Sequence, residues 1–291
     1  MILQLLIGGT ATGAIYALMA MGFSLLWQTS QTINFAQGEF VTAAAFVMLI
    51  FYDTLDLPYA PSLLLTIVVV VGILGVLFRR VVVERLIKTG LLSLICATIA
   101  VSLMIRNSLI FYTAESMSFP SIVSKEAVPL LTIRFSPLDV LNIALAAAVI
   151  LALQLFVRKT KPGKALQAVA QNRDVAQILG IEVGRMTTLA FAINGLIVTF
   201  AAVLVAPVYA AKYNMGLALG LRAFYAAIIG GFNQTRGALI GGLLIGYIEV
   251  FTIAYVTSQY SEVVILLMVI GIILFKPEGL WGTKEVWSRE L

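Results

Sequence analysis

Apolar stretches long enough to cross a lipid bilayer recur along the whole chain, and the first two are almost free of charge. Residues 1–52 contain one charged side chain, that of Glu39. A transmembrane helix needs about 20 consecutive apolar residues, so a chain of 291 residues can form roughly eight of them and little else. With 61% of its residues apolar and 11% charged, the chain lies far from the balance of a soluble domain. The sequence therefore predicts an all-α fold, a polytopic bundle of transmembrane helices.

The segments that can span the membrane follow one another closely. They are residues 3–27, 38–52, 61–78, 90–112, 138–157, 187–210, 217–234, 237–256 and 259–275. The second is short and Arg222 interrupts the seventh, so either one can be a broken or re-entrant helix. We expect about eight or nine spans in a single transmembrane domain over residues 1–291.

Lysine and arginine are concentrated in three segments between or after the spans. These are residues 79–88, residues 158–185 and the tail from Lys276 onward. Because cytoplasmic loops are enriched in Lys and Arg, we expect these segments and the C-terminus in the cytoplasm. The segments 53–60 and 113–137, which together hold four acidic and two basic side chains, are expected on the opposite side. Nine crossings would put the N-terminus outside, and one re-entrant helix would reverse that side. Anchoring to lipid headgroups explains the smaller basic clusters equally well.

The longest basic segment, a loop over about residues 158–186, contains a helical pattern of its own. The stretch after Lys161 and Pro162 predicts a helix of about 15 residues that ends at Gly180. At spacings of three and four, one face of this helix carries Leu166, Val169, Ala170, Arg173, Ala176 and Gln177. A helix of this size between two spans is suited to contact a soluble partner, and a solvated amphipathic loop is the simpler alternative.

Several kinds of chemistry are excluded by what the sequence lacks. There is no histidine, so a histidine-based hydrolase is impossible and the commonest metal ligand is missing. The one cysteine, Cys96, cannot build a disulfide or a cysteine-ligated metal site within the chain. No glycine-rich phosphate-binding loop ending in Gly-Lys-Ser/Thr is present. We therefore expect no catalytic residue, no metal site and no cofactor in this chain, which is not an enzyme by itself.

Charged side chains within or near the predicted spans are functional candidates. They are Glu39, Arg106, Arg222 and Glu249. Ionisable residues at membrane depth usually have a partner. Either Glu39 or Glu249 can pair with Arg106 or Arg222, and contact with a substrate is the alternative. The sequence does not choose the pairing.

Several glycines stand four residues apart in the sequence. Among them are Gly9 with Gly13, Gly237 with Gly241, and Gly242 with Gly246. Such pairs let helix backbones approach closely in lipid, where no hydrophobic force drives association. Tight packing inside the chain is the simplest interpretation, and an interface with another subunit is the alternative.

Six short motifs follow one another along the chain. The motifs are residues 13–18 with Gly22, 33–39, 162–165 with 179–181, 227–232, 237–242 and 277–282. In order and spacing they resemble the high-affinity branched-chain amino-acid permease family of ABC importers over nearly the whole chain. One departure is Gln37, where the family often has histidine, so an ionisable group is absent at that position.

The resemblance implies a multi-pass permease subunit of the bacterial inner membrane, with the lipid bilayer as its surroundings. Such a subunit works with a second related permease, two cytoplasmic ATPases that use ATP, and an external substrate-binding protein, without nucleic acid. The helix in the 158–186 loop corresponds to the family's ATPase-coupling region. Its coupling residues here are Leu166, Val169, Ala170, Arg173, Asp174, Ala176, Gln177 and Gly180.

A further hypothesis places part of the translocation path at the start of the second span. Asn34 is a residue type that begins helices, and Glu39 lies near the positive end of the helix that follows. We expect Asn34, Gln37 and Glu39 to line this path for branched-chain or related amino acids, although amides, urea and aromatic acids fit the sequence as well. A secondary transporter or channel that works without ATPases, and a scaffold subunit, are the alternatives.

Overall fold

The computed structural model of the protein describes residues 2–87, 89–123, 128–130 and 133–282. Almost all of this part of the chain is helical. The α-helices are α1 (Ile2–Ser30), α2 (Gln37–Leu49), α3 (Tyr59–Val70), α4 (Glu84–Leu86), α5 (Leu91–Tyr112), α6 (Pro137–Lys159), α7 (Lys161–Gln171), α8 (Arg173–Ile178), α9 (Val183–Tyr209), α10 (Met215–Gly230), α11 (Thr235–Tyr255) and α12 (Ser261–Phe275). Two short strands, β1 (Val128–Leu130) and β2 (Ile133–Phe135), pair antiparallel. The predicted all-α polytopic bundle is confirmed, and the tail beyond residue 282, expected in the cytoplasm, lies outside the described residues.

Seven helices in the described part of the chain are long and apolar enough to cross a membrane. They are Ile2–Ser30, Tyr59–Leu86, Leu91–Tyr112, Pro137–Lys159, Val183–Tyr209, Thr235–Tyr255 and Ser258–Phe275. The second of these is continuous because α3 passes through π-helical turns at Val71–Leu77 and Arg79–Val83 into α4. The last begins with a 3-10 turn at Ser258–Tyr260 before α12.

The two weakest predicted spans correspond to the two short apolar helices. Helix α2 has 13 residues and continues into one π-helical turn, Ile50–Thr54, whereas α10 has 16 residues. At about 1.5 Å per residue, α10 falls short of a bilayer core about 30 Å thick. Helix α2 is buried on nearly all sides, which is the setting in which a short polar-ended helix is tolerated at membrane depth.

The contacts within the described chain group into two compact units. The first unit comprises Met1–Ser24, Ser121–Ala148 and Leu221–Leu291, and the second comprises Leu25–Pro120 and Val149–Gly220. Helices α1, α6 and α10 contribute residues to both units. The single domain over residues 1–291 stays a prediction.

The core of the second unit is built around α2 and α9. Phe78 packs edge-on against Phe40 of α2, with ring centroids 5.0 Å apart, and lies 6.2 Å from the ring of Phe191 of α9. All three rings are buried. Aromatic packing of this kind fixes both helices against the Tyr59–Leu86 span, so α2 has a rigid support on which polar side chains can be held in place.

The glycine pairs predicted from the sequence lie at helix contacts inside the first unit. A Cβ built on Gly246 of α11 would overlap the backbone of Gly13 of α1, and one built on Gly242 would overlap Ala17. Gly237 and Gly241 meet α10 in the same way. The interpretation as tight packing within the chain is therefore confirmed for these contacts.

Candidate functional site

The turn that leads from α1 to α2 is organised by Asn34. Its Oδ1 accepts a hydrogen bond from the backbone N–H of Ala36 at 3.0 Å, and its carbonyl oxygen accepts one from the N–H of Gln37 at 3.1 Å. The residue at the cap position of α2 is Ala36, which has no side chain able to cap. Asn34 therefore helps to start the helix by shaping the turn before it. It lies two residues before the cap position, which Ala36 occupies.

Gln37, the first residue of α2, is hydrogen-bonded through its side chain to Asn194 in the middle of α9. The two amides form a reciprocal pair, in which each Nε2 or Nδ2 donates to the other's oxygen at 2.8 Å. Both side chains are buried, so each hydrogen bond forms in a medium of low dielectric constant and fixes α2 on α9.

Glu39 lies two residues further and has no such partner. Its residue surface is 1% exposed, and neither Oε1 nor Oε2 accepts a hydrogen bond in the described part of the chain. One turn later, the buried hydroxyl of Thr42 stabilises the Glu39 carboxylate electrostatically, although its Oγ1 forms no hydrogen bond of good geometry. Arg106 of α5 exerts an attraction on the Glu39 carboxylate, but the ion pairs among the described residues do not include it. Within the second unit, the structure therefore does not pair Glu39 with Arg106.

Gly38, the residue before Glu39, lies at a close backbone contact between α2 and α10. A Cβ built on Gly38 would overlap the carbonyl oxygen of Gly216 and would lie 2.9 Å from the Cα of Gly220. Only glycine allows two backbones to touch at such a crossing. The polar start of α2 is thus enclosed by protein.

A second group of charges lies in the first unit. Arg222 of α10 is paired with Glu249 of α11 through its Nη2, 3.2 Å from Oε1, and with Glu262 of α12 at 3.7 Å. The hydroxyl of Tyr16 donates to Glu249 Oε2 at 2.6 Å and accepts from Arg222 Nη1 at 3.4 Å. The structure therefore selects the Arg222 and Glu249 pair from the alternatives that the sequence left open.

The loop between α6 and α9 forms two helices where the sequence predicts one. The break falls at Asn172, whose backbone is extended and whose Oδ1 accepts from the N–H groups of Asp174 and Val175 at 3.0 and 3.1 Å. An asparagine cap of this kind begins a new helix. The single helix of about 15 residues is therefore wrong, and α7 and α8 meet at an angle set by this residue.

The face predicted for coupling is divided by burial. Leu166, Val169 and Ala176 are buried inside the second unit, where Leu166 packs against Ala190 and the other two pack with Val183. Ala170 and Arg173 are half-buried, and Asp174, Gln177 and Gly180 are exposed. Partial burial lowers the pKa of the Arg173 guanidinium, and the neighbouring Asp174 carboxylate opposes that shift. The buried members anchor the helix pair to α9.

Three apolar side chains of this loop are exposed. Val175 is 48%, Ile178 84% and Leu179 71% exposed. We call Val175, Ile178 and Leu179 the α8 surface. Beside it, a shallow cleft is lined by Gln177, Gly180, Ile181, Glu182, Val183 and Gly184. Exposed apolar side chains that are grouped in a polar, basic loop indicate a protein contact.

Comparison with known proteins gives a consistent result over nearly the whole chain. The family model described as branched-chain amino acid transport system / permease component matches residues 5–273. The chain belongs to this permease family. The resemblance found in the sequence motifs is therefore confirmed.

The relatives of this permease come from bacteria and an archaeon. It is 28% identical to the high-affinity branched-chain amino acid transport system permease protein BraD of Pseudomonas aeruginosa, over 98% of this chain and 97% of BraD. It is 29% identical to the high-affinity branched-chain amino acid transport system permease protein LivH of Escherichia coli K12, over 98% of this chain and 96% of LivH. It is 27% identical to the probable permease protein LivH of Methanocaldococcus jannaschii, over 98% and 94%.

Several residues of the permease site escaped the sequence reasoning. Asn194 is the one side-chain amide in α9, and its isolation in that apolar span was the signal that could have found it. Thr42 and Tyr16 gave no signal, since a lone hydroxyl in an apolar helix is ordinary. The residues of the α8 surface could be recognised in the sequence as apolar residues outside the helix face that the spacing of three and four selects. Among the described residues, no group of three His, Cys, Asp or Glu side chains could hold a metal ion.

Proposed function

We propose that this chain is the membrane-spanning permease subunit of an ATP-driven importer that moves branched-chain or related amino acids. A family match that covers residues 5–273 supports the transport role. In this proposal an external binding protein delivers the amino acid, and two cytoplasmic ATPases use ATP. A second related permease completes the complex in the inner membrane. The basic α6–α9 loop and the C-terminus lie in the cytoplasm in this arrangement.

The observation that carries the coupling step is the α8 surface. Three exposed apolar side chains stand on a short helix, and the buried residues Leu166, Val169 and Ala176 anchor that helix and α7 to α9. A partner that binds the exposed face would move α8, and α8 could not move without displacing α9. We therefore assign ATPase docking to Val175, Ile178 and Leu179 with the exposed Asp174, Gln177 and Gly180, and anchoring to the buried residues.

A contiguous route leads from the α8 surface to the polar start of α2. Helix α8 packs on Val183 at the beginning of α9, and α9 is bonded to α2 through Asn194 and Gln37. A rigid helix with defined contacts at each end can transmit a rigid-body displacement. Movement of α8 would thus reach Asn34, Gln37 and Glu39, which we propose line part of the translocation path.

The docking assignment is tested by replacing Ile178 or Leu179 with aspartate in the assembled complex. Each charge would be buried without a partner on docking, so we expect ATP hydrolysis stimulated by the loaded binding protein to fall roughly tenfold or more. The ATPases should also co-purify less well. The measurement is hydrolysis rate in proteoliposomes, together with subunit stoichiometry after purification.

The matched control is Ile122→Asp. Ile122 is 63% exposed but lies outside the α6–α9 loop, so this variant should hydrolyse ATP and retain its partners like the unmodified complex. Normal hydrolysis and normal co-purification in both Ile178→Asp and Leu179→Asp would contradict docking at the α8 surface.

A further inference from the structure

Unpaired polar atoms are concentrated at the start of α2. Among the described residues, seven buried side-chain atoms have no hydrogen-bond partner, and four of them belong to Asn34, Glu39 and Thr42. They are Asn34 Nδ2, Glu39 Oε1, Glu39 Oε2 and Thr42 Oγ1. Native proteins leave few such atoms, and each one calls for an explanation.

Glu39 is the most unfavourable member of this group for folding. A carboxylate that is buried without a hydrogen bond or a counter-ion destabilises the folded state more than any neutral polar group does. The charged residue whose attraction reaches it, Arg106, forms no ion pair with it. In the first unit the buried Glu249 carboxylate is satisfied by Tyr16 and Arg222, so this chain is able to pair an acid where stability requires it.

The unpaired acceptors and the unpaired donor complement the groups of an amino acid's head, which are an ammonium donor and a carboxylate acceptor. An ammonium group offers three N–H donors, and Glu39 with Thr42 offers three unpaired acceptor atoms on one face of α2, at positions three apart. A carboxylate accepts hydrogen bonds, and the Nδ2 of Asn34 is an unpaired donor.

We propose that Asn34, Glu39 and Thr42 bind the head group of the amino acid during its passage. Glu39 and Thr42 accept hydrogen bonds from the ammonium group, and Asn34 donates to the carboxylate. This site rests on the proposed transport function and names the chemistry that the path recognises. It binds solutes that carry both an ammonium and a carboxylate, and it does not bind amides or urea in this way.

Access to the site depends on the crossing of α2 and α10. The unpaired atoms are buried in the described conformation, and one of them, Thr42 Oγ1, lies beside Gly216, where that residue contacts the backbone of Gly38. Because neither glycine carries a side chain, no side chain has to leave a pocket when these two helices part. The head group reaches Glu39 and Thr42 when the crossing opens.

The test uses Glu39→Gln in the complete complex, reconstituted in proteoliposomes with its binding protein. We expect uptake of labelled L-leucine to fall roughly tenfold or more, because one charged acceptor is lost. Hydrolysis stimulated by the loaded binding protein should persist. The thermal midpoint of the purified complex should be unchanged or higher, because a neutral amide is easier to bury than an unpaired acid.

Two further variants probe the other atoms. Asn34→Asp keeps the Oδ1 that accepts from Ala36 but replaces the donor, and Thr42→Val keeps the shape but removes the hydroxyl. Thr42→Val should reduce uptake at an unchanged midpoint, whereas Asn34→Asp should reduce uptake and also lower the midpoint, because it buries a second carboxylate. The control, Glu115→Gln, alters an exposed loop carboxylate and should match the unmodified complex in every measurement.

The outcomes separate the site from the wider function. If the unmodified complex shows ATP-dependent uptake and Glu39→Gln matches it, the head-group site is refuted while the transport function stands. If Glu39→Gln lowers the thermal midpoint in parallel with uptake, Glu39 is structural and the site is also refuted. If the unmodified complex takes up no leucine with ATP, the proposed function fails and the site fails with it.

Discussion

At the scale of single residues, the buried carboxylates of this permease have contrasting surroundings. Glu249 receives a hydrogen bond from Tyr16 and an ion pair from Arg222. Glu39, of the same type and equally buried, receives neither. A buried acid that is held by two partners stabilises the packing around it only while both partners remain. A buried acid without a partner reduces the stability of the folded state.

The Arg222 ion pair leads to a stability prediction. Arg222→Leu would leave Glu249 buried without a cation, and we expect a loss of about 3–5 kcal/mol in unfolding free energy. The double variant Arg222→Leu with Glu249→Leu should recover most of it, because no unpaired charge remains. Denaturant unfolding of the purified protein in detergent measures both.

The comparison for that prediction is the exposed pair of Arg185 and Glu182. Exposed ion pairs contribute about 0–1 kcal/mol, so Arg185→Leu should change stability little. A double variant at positions 222 and 249 that is as unstable as Arg222→Leu alone would show that the pairing is not what stabilises these helices.

Sequence patterns located the important single residues better than their partners. Glu39, Arg222 and Glu249 stood out because charges are rare in apolar spans. Their pairing depends on which helices are neighbours in space and on how each is rotated, and neither follows from the spacing along one helix. The sequence therefore could not show that the Glu39 carboxylate lacks a hydrogen-bond partner.

At the scale of elements, the crossing of α2 and α10 depends on the absence of side chains. A Cβ on Gly38 would overlap the backbone of Gly216, so Gly38→Ala must push the helices apart. Overpacking of this kind costs about 1–3 kcal/mol, and we expect a lower thermal midpoint and weaker leucine uptake. Thermal unfolding in detergent and uptake in proteoliposomes check both effects.

Gly271 provides the matched glycine control. A Cβ on Gly271 in α12 meets nothing within 4 Å, and alanine is favoured over glycine in a helix by about 1 kcal/mol. Gly271→Ala should therefore be as stable as the unmodified protein or slightly more so. Equal midpoints for the Gly38 and Gly271 variants would contradict a tight crossing at α2.

The elements themselves followed from the sequence where hydrophobic length decides the structure. Apolar runs located the long spans, and the short run at 38–52 and the interrupted run at 217–234 gave the two short helices. The loop helices were harder to predict, because a regular spacing continues through Asn172 although its side chain caps a second helix there. Spacing also groups Leu166, Val169 and Ala176 on one helix face, but it does not show that this face packs against α9.

At the scale of the whole molecule, the family assignment and the described contacts support one account of transport. In the proposed mechanism, docking at the α8 surface would act through two observed contacts in the second unit, the packing of α8 on Val183 and the amide pair of Gln37 and Asn194. A change of nucleotide state in the ATPases would shift the permease from one conformation to another only if the ATPases bind the two conformations with different affinities. Side-chain selectivity would then reside in the binding protein that delivers the substrate.

The most direct test of this account is accumulation of labelled L-leucine in proteoliposomes that contain the complete complex and its binding protein. We predict accumulation above the outside concentration that requires ATP on the side of the ATPases and stops when either ATP or the binding protein is left out. Uptake by this chain alone, or uptake by the complex that continues without ATP, would contradict the account and favour a secondary transporter or channel.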